Sequence, residues 1–214
     1  MTMNSPHRFL QEPDHIAICA ETLAEGVSYV EDLLGVPLEA GGDHLFMGTH
    51  NMLLSLGPRF YLEVISINPE AAAPGRERWF ELDSFFGQPR LTNWICRTDN
   101  LARSLASAPT GIGRIIPAAR GDLRWQMVVP DHGSLPFDGA YPALIAWEGS
   151  AHPANSLQDR GCRLEKLTIE HPNAGELKRH LRTLLDLSGI EIRRGNVKKL
   201  IATIKTPTGL KILQ

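Results

Sequence analysis

A strand, a helix and three more strands follow one another over residues 14–68, and this order constrains the fold more than any other feature of the chain. The first strand alternates, which places Ile16 on the opposite face from His15. The helix is entered at Thr22, with a glutamate three residues later, and is stopped at Gly35. One helix and four short strands cannot bury a core alone. The pattern therefore predicts that a second copy follows.

The same order of elements is predicted twice more, over residues 91–149 and 161–214. If His15, Asn93 and Lys166 occupy equivalent places, the copies are 78 and 73 residues apart. Few residues are identical between the copies, so the repetition is one of structural pattern. It indicates a protein built from consecutive βαβββ units.

These units predict an α+β fold in one compact protein. We assign residues 12–68 and 91–149 to two paired units, and residues 161–214 to a third, degenerate unit. The third unit is expected either to cover the sheet or to form a contact between two copies of the chain, and we expect a homodimer. The connecting segment 68–90 carries one tryptophan and three phenylalanines, which predicts a packed flap.

Composition and missing motifs exclude several classes of protein. A net charge of −2 over 214 residues gives no electrostatic footprint for nucleic acid. No apolar run approaches the ~20 residues that span a membrane. The chain also lacks GxGxxG after a strand, GxxxxGK, GxSxG and HExxH. Dinucleotide redox, nucleotide hydrolysis and serine hydrolysis are therefore unsupported, and a small molecule is the expected partner.

Cysteine usage and the amino terminus predict a cytoplasmic protein. Cys19, Cys96 and Cys162 are odd in number and widely spaced, which is typical of reduced, buried thiols. Residues 1–11 lack the apolar core of a signal peptide, so export is not expected.

Six short segments stand out in order along the chain: Asp14-His15, Gly48-Thr49-His50-Asn51, Tyr61-Leu62-Glu63, Leu123-Arg124-Trp125, Leu144-Ile145-Ala146-Trp147 and His152-Pro153. Together they resemble the glyoxalase-like domain family of the vicinal oxygen chelate (glyoxalase/bleomycin resistance/dioxygenase) superfamily. The resemblance implies that the paired units of residues 12–150 curl a mixed sheet into a cup around a ligand, with helices outside. It also implies that metal enzymes of this kind carry their ligands on the first and last strands of the paired units.

The candidate metal ligands are His15, Glu63 and Glu148. His15 and Glu63 each alternate with aliphatic neighbours, so both are expected to face the cup. An imidazole nitrogen and carboxylate oxygens suit one divalent ion of Fe, Mn, Ni or Zn. Glu148 is included by position, because Ala146 stands where related sequences often carry an acid. Asn93, which matches His15 in the second unit, is a poor ligand for these metals.

A site without metal remains equally open. Lys166 and Lys211 fill the corresponding places of the third unit and cannot bind metal while protonated. His15 could instead be a hydrogen-bonded buried histidine, and Glu63 a solvated strand residue.

Residues 48–51 offer a second group of candidates. A histidine ordinarily changes charge near neutral pH, so His50 is a candidate general acid–base beside Glu63. Thr49 and Asn51 would bind substrate through a hydroxyl and an amide. The alternative is a strand-entry turn in which Asn51 bonds its own backbone.

Three more residues are candidates for binding substrate. Arg124 suits a carboxylate or phosphate, although an arginine in mid-strand also fits a solvent-exposed face. Trp147 either walls the pocket or belongs to the core. Asn93 is included because it matches His15.

These residues support three hypotheses. The first is a lyase, isomerase or dioxygenase in which a metal held by His15, Glu63 and Glu148 acts as a Lewis acid on a small oxygenated substrate. The second is a metal-free protein that sequesters an aromatic or amphipathic molecule. The third is a metal-free acid–base enzyme that uses His50 and Glu63.

Overall fold

The computed structural model describes residues 10–214. Its strands are β1 (Glu12–Cys19), β2 (Glu39–His44), β3 (Thr49–Ser55), β4 (Tyr61–Ile67), β5 (Arg90–Arg97), β6 (Arg114–Arg120), β7 (Leu123–Val129), β8 (Ala143–Trp147), β9 (Arg163–His171), β10 (Ile190–Arg194), β11 (Lys199–Thr206) and β12 (Gly209–Leu213). Its helices are α1 (Leu23–Leu34), α2 (Leu101–Ala106) and α3 (Ala174–Leu181), with 3-10 segments at Trp79–Ser84 and Pro153–Asn155. The expectation about export rests on residues 1–11, of which 1–9 lie outside the described residues. Within residues 10–214, no helix is long and apolar enough to cross a membrane.

The first eight strands form one curled sheet in the order β2-β3-β4-β1-β5-β8-β7-β6. Each half of the sheet is one βαβββ unit whose last strand returns parallel to its first: β4 beside β1, and β8 beside β5. The halves join where β1 and β5 pair antiparallel. The predicted fold, an α+β protein with a cup of paired βαβββ units, is confirmed.

The central pairing also supports the predicted spacing between the first two units. His15 lies opposite Ile95, and Ala17 lies opposite Asn93. If residues 78 apart are equivalent, as predicted, His15 corresponds to Asn93 and Ala17 to Ile95. A pseudo-two-fold axis between β1 and β5 then exchanges the two pairs. Asn93 is therefore the structural counterpart of His15.

Helix α1 covers the outer face of the first half. The predicted capping box is present, with the Glu25 backbone N–H donating to the Thr22 hydroxyl. Gly35 ends the helix in the left-handed region at φ 71°. Gly26 brings the helix against β4, since a Cβ built there would lie 2.5 Å from Cγ1 of Val64.

Residues 161–214 keep the predicted order of elements but pair differently. Their sheet has the order β10-β9-β11-β12, and the strand after the helix, β10, pairs parallel with β9. In the cup units that strand lies at the sheet edge, and the last strand returns to the first. The third segment is therefore not a copy of the cup units. The order of elements along the chain does not predict this difference in pairing, because it does not specify which strand pairs with the first strand of the unit.

The third segment packs against the cup of the same chain. Lys198 Nζ donates to the backbone oxygen of Thr92 on β5 at 2.6 Å. The Tyr29 hydroxyl of α1 donates to the backbone oxygen of Gln214 at 3.2 Å. The third segment therefore lies against α1 and β5 of its own chain.

The segment between the units, here called the flap, is packed only in part, because Phe86 is 79% exposed. Trp79 and Phe80 are buried. Phe80 and Glu81 adopt left-handed backbone angles, with φ 59° and 56°, which residues with a Cβ rarely do without surrounding support. Gly133 gives part of that support, because a Cβ at its position would lie 2.4 Å from the backbone oxygen of Arg78.

We predict that Gly26→Ala destabilises the protein by about 1–3 kcal/mol, because the added methyl overlaps Val64 in a close-packed contact. Alanine normally stabilises a helix relative to glycine, so a loss here isolates the clash. Urea unfolding measures the free energy of unfolding. The matched control is Gly175→Ala in α3, where nothing lies within 4 Å of the built Cβ. The control should be neutral or stabilising, and equal effects at both sites would contradict the close packing.

Candidate functional site

A small pocket of about 30 Å³ lies inside the cup. One side is polar and carries His15, Asn51, Glu63 and Arg120. The other side is aromatic, formed by Trp125 and Trp147 from the second half and by Trp79 and Phe80 from the flap. A small concave site with a few convergent polar groups is typical of small-molecule binding.

Asp14 is the buried carboxylate on which the polar side is built. It is 0% exposed. Its Oδ1 lies 2.6 Å from His15 Nδ1, and its Oδ2 accepts from Trp147 Nε1 at 3.1 Å and from His152 Nε2 at 3.0 Å. Arg97 Nη1 lies 3.6 Å from Oδ2. Burial alone would raise the pKa of Asp14, but the hydrogen bonds and charges of His15 and His152 outweigh it and hold the pKa well below its ordinary range. Asp14 is therefore ionised.

An ionised Asp14 fixes the orientation of His15. A carboxylate can only accept, so His15 Nδ1 carries a proton and donates to it. His15 Nε2 then points into the cavity, 3.7 Å from Oε2 of Glu63. The Tyr61 ring stacks on the imidazole with centroids 4.4 Å apart, which restrains the ring plane. The same logic sets His152: the backbone N–H of Ala154 donates to its Nδ1 at 3.2 Å, so Nε2 donates to Asp14.

Glu63 is held from its other side by an amide. Asn51 Nδ2 donates to Glu63 Oε1 at 2.5 Å. The oxygen of the same amide accepts from Arg120 Nη1 at 2.9 Å. A continuous polar chain therefore runs from Asp14 through His15, Glu63 and Asn51 to Arg120.

His44 completes this chain as a neutral ring. Arg120 Nη1 lies 3.2 Å from His44 Nε2, and His44 Nδ1 lies 3.1 Å from the Thr49 hydroxyl. Burial, followed by the nearby Arg120 charge, lowers the pKa of His44 from 6.5 to about 3. A neutral ring can accept from Arg120 at Nε2 and donate to Thr49 at Nδ1, and both contacts are present.

The structure brings together four of the residues that the sequence suggested. His15, Glu63, Asn51 and Trp147 all line the cavity. Thr49 is buried behind it and contacts it through His44.

Two expectations are wrong because of strand alternation. His50 points away from its neighbour Asn51 and bonds the Ser66 hydroxyl at 2.9 Å on the other face, so it cannot act beside Glu63. Arg124 is exposed and donates to the backbone oxygen of Gly121 at 2.5 Å, across the β6–β7 turn. Its neighbour Trp125 is the residue that faces the cavity.

The predicted set of three metal ligands does not come together. Glu148 lies past the end of β8, on the outer face, 3.5 Å from Gln126 Nε2. Ala17 pairs with Glu63, and Ile95 pairs with Ala143, so the counterpart of Glu63 in the second half is Ala143. Glu148 was therefore placed by a wrong register.

The donor set does not fit a metal ion. The four ligand positions of the paired units carry His15, Glu63, Asn93 and Ala143, so two of them offer no suitable donor. Asn93 is buried beside Gly139, whose built Cβ would lie 3.2 Å from Asn93 Nδ2. Within residues 10–214, no three His, Cys, Asp or Glu side chains are grouped so that they could hold a metal ion.

Sequence reasoning missed Arg120, His44 and the central role of Asp14. Arg120 ends one edge strand and His44 ends the other, and the two edges meet only when the sheet curls. Asp14 and His152 did carry a signal, since both belong to segments that resemble the family.

The paired βαβββ cup with this cavity defines a protein of the vicinal oxygen chelate fold. The glyoxalase-like domain family matches residues 14–185, which is most of the sequence. The chain belongs to the glyoxalase-like domain family, as the six segments predict.

Two solved structures are similar to parts or most of this chain. A hypothetical protein from Staphylococcus aureus is similar over 92% of this chain and 91% of its own, with 16% identity and a TM-score of 0.63. Methylmalonyl-CoA epimerase from Mycobacterium tuberculosis is similar over 70% of this chain and 94% of its own, with 20% identity and a TM-score of 0.44. The first similarity supports the fold over nearly the whole chain. A comparison with curated proteins gives no match.

We predict that the untagged protein, incubated with Fe, Mn, Ni or Zn salts and then dialysed, retains less than one equivalent of metal by elemental analysis. The reason is that two of the four ligand positions offer no metal donor. His15→Ala should leave the retained amount unchanged. A stoichiometric metal that is lost in His15→Ala would contradict this account of the site.

We predict that His44 stays neutral in the folded protein when the pH falls from 7 to 5. NMR of the imidazole carbons should show no titration of His44 in this range. Between pH 6.5 and 3 the unfolded chain then binds a proton at His44 that the folded chain does not. This term lowers the free energy of unfolding by up to about 1.4 kcal/mol per pH unit as the pH falls. A His44 midpoint near 6.5 would show that the ring is not held as described.

Proposed function

We propose that this protein is a metal-independent acid–base enzyme of isomerase or lyase type, acting on a small oxygenated substrate in the cup. The observation that carries the proposal is the pair of His15 Nε2 and Glu63 Oε2, 3.7 Å apart at the cavity wall, with His15 oriented by a buried, ionised Asp14. Two groups that exchange protons are thus held side by side, each by a partner behind it.

The chemistry follows from one proton shared by the pair. In the form with Glu63 ionised and His15 protonated, Glu63 removes a proton from a carbon next to a carbonyl. His15 Nε2–H donates its proton to the carbonyl oxygen, which gives an enol. Return of the protons to different atoms completes an isomerisation. Asp14 balances the imidazolium charge, and Asn51 orients the Glu63 carboxylate.

The second candidate function is sequestration without chemistry. The observation in its favour is the aromatic wall. The ring centroids of Trp125 and Trp147 are 5.5 Å apart, and His44 packs edge-on against Trp79 with centroids 5.1 Å apart. Such a wall binds flat or amphipathic molecules through area and ring contacts. It makes no use of the oriented His15–Glu63 pair, so we rank this function second.

Exchange of carbon-bound hydrogen tests the acid–base proposal. The protein is incubated in D₂O with α-hydroxycarbonyl and oxo-acid compounds, and loss of the C–H signal next to the carbonyl is followed by NMR. We predict that Glu63→Gln and His15→Gln each slow enzyme-dependent exchange by about 10²–10⁴-fold, as expected when a general acid or base is removed. Glu63→Gln keeps an oxygen that can accept from Asn51, so the site stays assembled.

His50→Gln is the matched control, because His50 faces away from the cavity and should leave exchange unchanged. Treatment with a chelator should also leave it unchanged. Equal exchange in wild type and Glu63→Gln would refute the assignment. Quenching of tryptophan emission by the same compounds, with no exchange in wild type, would favour sequestration instead.

A further inference from the structure

Arg120 is a cavity residue to which no role has yet been assigned. It ends β6, at one edge of the curled sheet, and reaches across to Asn51 and His44 near the other edge. Gly42 on β2 makes room for it, since a Cβ built there would lie 3.0 Å from Cδ of Arg120. The guanidinium is thereby fixed in place beside the cavity.

The charge of Arg120 has no carboxylate partner within the described part of the chain. Its two hydrogen-bond partners are the Asn51 amide and the neutral ring of His44, and both are reached from Nη1. Other arginines near the cup differ in this respect. Arg97 pairs with Glu12, and Arg78 pairs with Asp83.

Two further donor groups of Arg120, Nε and Nη2, have no acceptor among the described residues, and neither of them is a fully buried unpaired atom. An arginine edge with two parallel N–H groups matches the two oxygens of a carboxylate. Because Nη1 is tied to protein groups, the guanidinium plane is held before any ligand arrives, which reduces the ordering cost of binding.

We propose that Arg120 binds a carboxylate group of the ligand, which makes the ligand a small oxo acid. The assignment of a reacting oxo group rests on the proposed function, whereas the carboxylate contact does not. Arg120 is joined to Glu63 through the single amide of Asn51. Arg120, Glu63 and His15 line the same small pocket, so a ligand that contacts all three carries its carboxylate only a few bonds from the reacting C–H.

Binding without turnover tests the contact. Tryptophan emission is titrated with 2-oxobutanoate and 3-oxobutanoate, and with the methyl ester of each, which removes the charge and keeps the carbon frame. Wild type should bind each acid at least about 10-fold more tightly than its ester, as expected for a charge-assisted pair. Inorganic phosphate is titrated in parallel and should not compete with the acids at equal concentration.

Arg120→Met should remove the preference for acid over ester, and Arg120→Lys should restore part of it, because lysine keeps the charge but loses the fork. Arg124→Met is the matched control on the same hairpin and should behave as wild type. Equal binding of acid and ester by wild type, or an undiminished preference in Arg120→Met, would overturn the proposal. Competition by phosphate would do the same for the carboxylate assignment. If Arg120→Met does not fold, Arg120→Lys and the acid–ester comparison in wild type decide the question.

Glu63→Gln separates this proposal from the proposed function. It should keep the preference for acids while losing exchange. A wild-type protein that binds acids through Arg120 but exchanges no hydrogen would refute the acid–base function and leave the carboxylate contact standing. Exchange that depends on Glu63, with no preference for acids over esters, would refute the carboxylate contact and leave the acid–base function standing.

Discussion

The buried carboxylate of Asp14 is the interaction on which the rest of the site depends. It gathers donors from three separate places: the next residue of its own strand, the last strand of the second half and the loop beyond it. An ionised group without water is stable only when such partners surround it. Each donor is fixed in turn, so the carboxylate orders its surroundings as much as they stabilise it. The direction of the His15 ring is one result of this mutual constraint.

The two halves of the pseudo-symmetric scaffold differ at the positions of His15 and Glu63. Strands β1 and β4 supply His15 and Glu63, whereas their counterparts in β5 and β8 are Asn93 and Ala143. The second half supplies an aromatic wall and, from its edge, one cation. The cup thus keeps the architecture implied by the resemblance, while its two halves carry different side chains at equivalent positions.

The sequence predicted features that depend on local pattern. Alternation along β1 and along β4 correctly predicted that His15 and Glu63 face the cup, and element order predicted the paired units. Features that depend on register were missed. The assignment of Glu148 as a ligand was wrong because it needed the register between β5 and β8. That register makes Ala143 the counterpart of Glu63. His50 was wrong because a segment was read as one group although successive side chains of a strand face opposite ways. Arg120 was missed because the sheet edges approach only after curling.

The contact between Asp14 and His152 has a consequence for where this protein can be divided. The last strand of the cup is β8, and by that measure the cup is complete at Trp147. One donor to the central carboxylate, however, comes from the loop that leads away toward the third segment. The smallest piece able to hold the His15 ring in place is therefore longer than the sheet that surrounds it. The boundary defined by the sheet lies at Trp147, whereas the boundary defined by the contacts of Asp14 lies at or beyond His152.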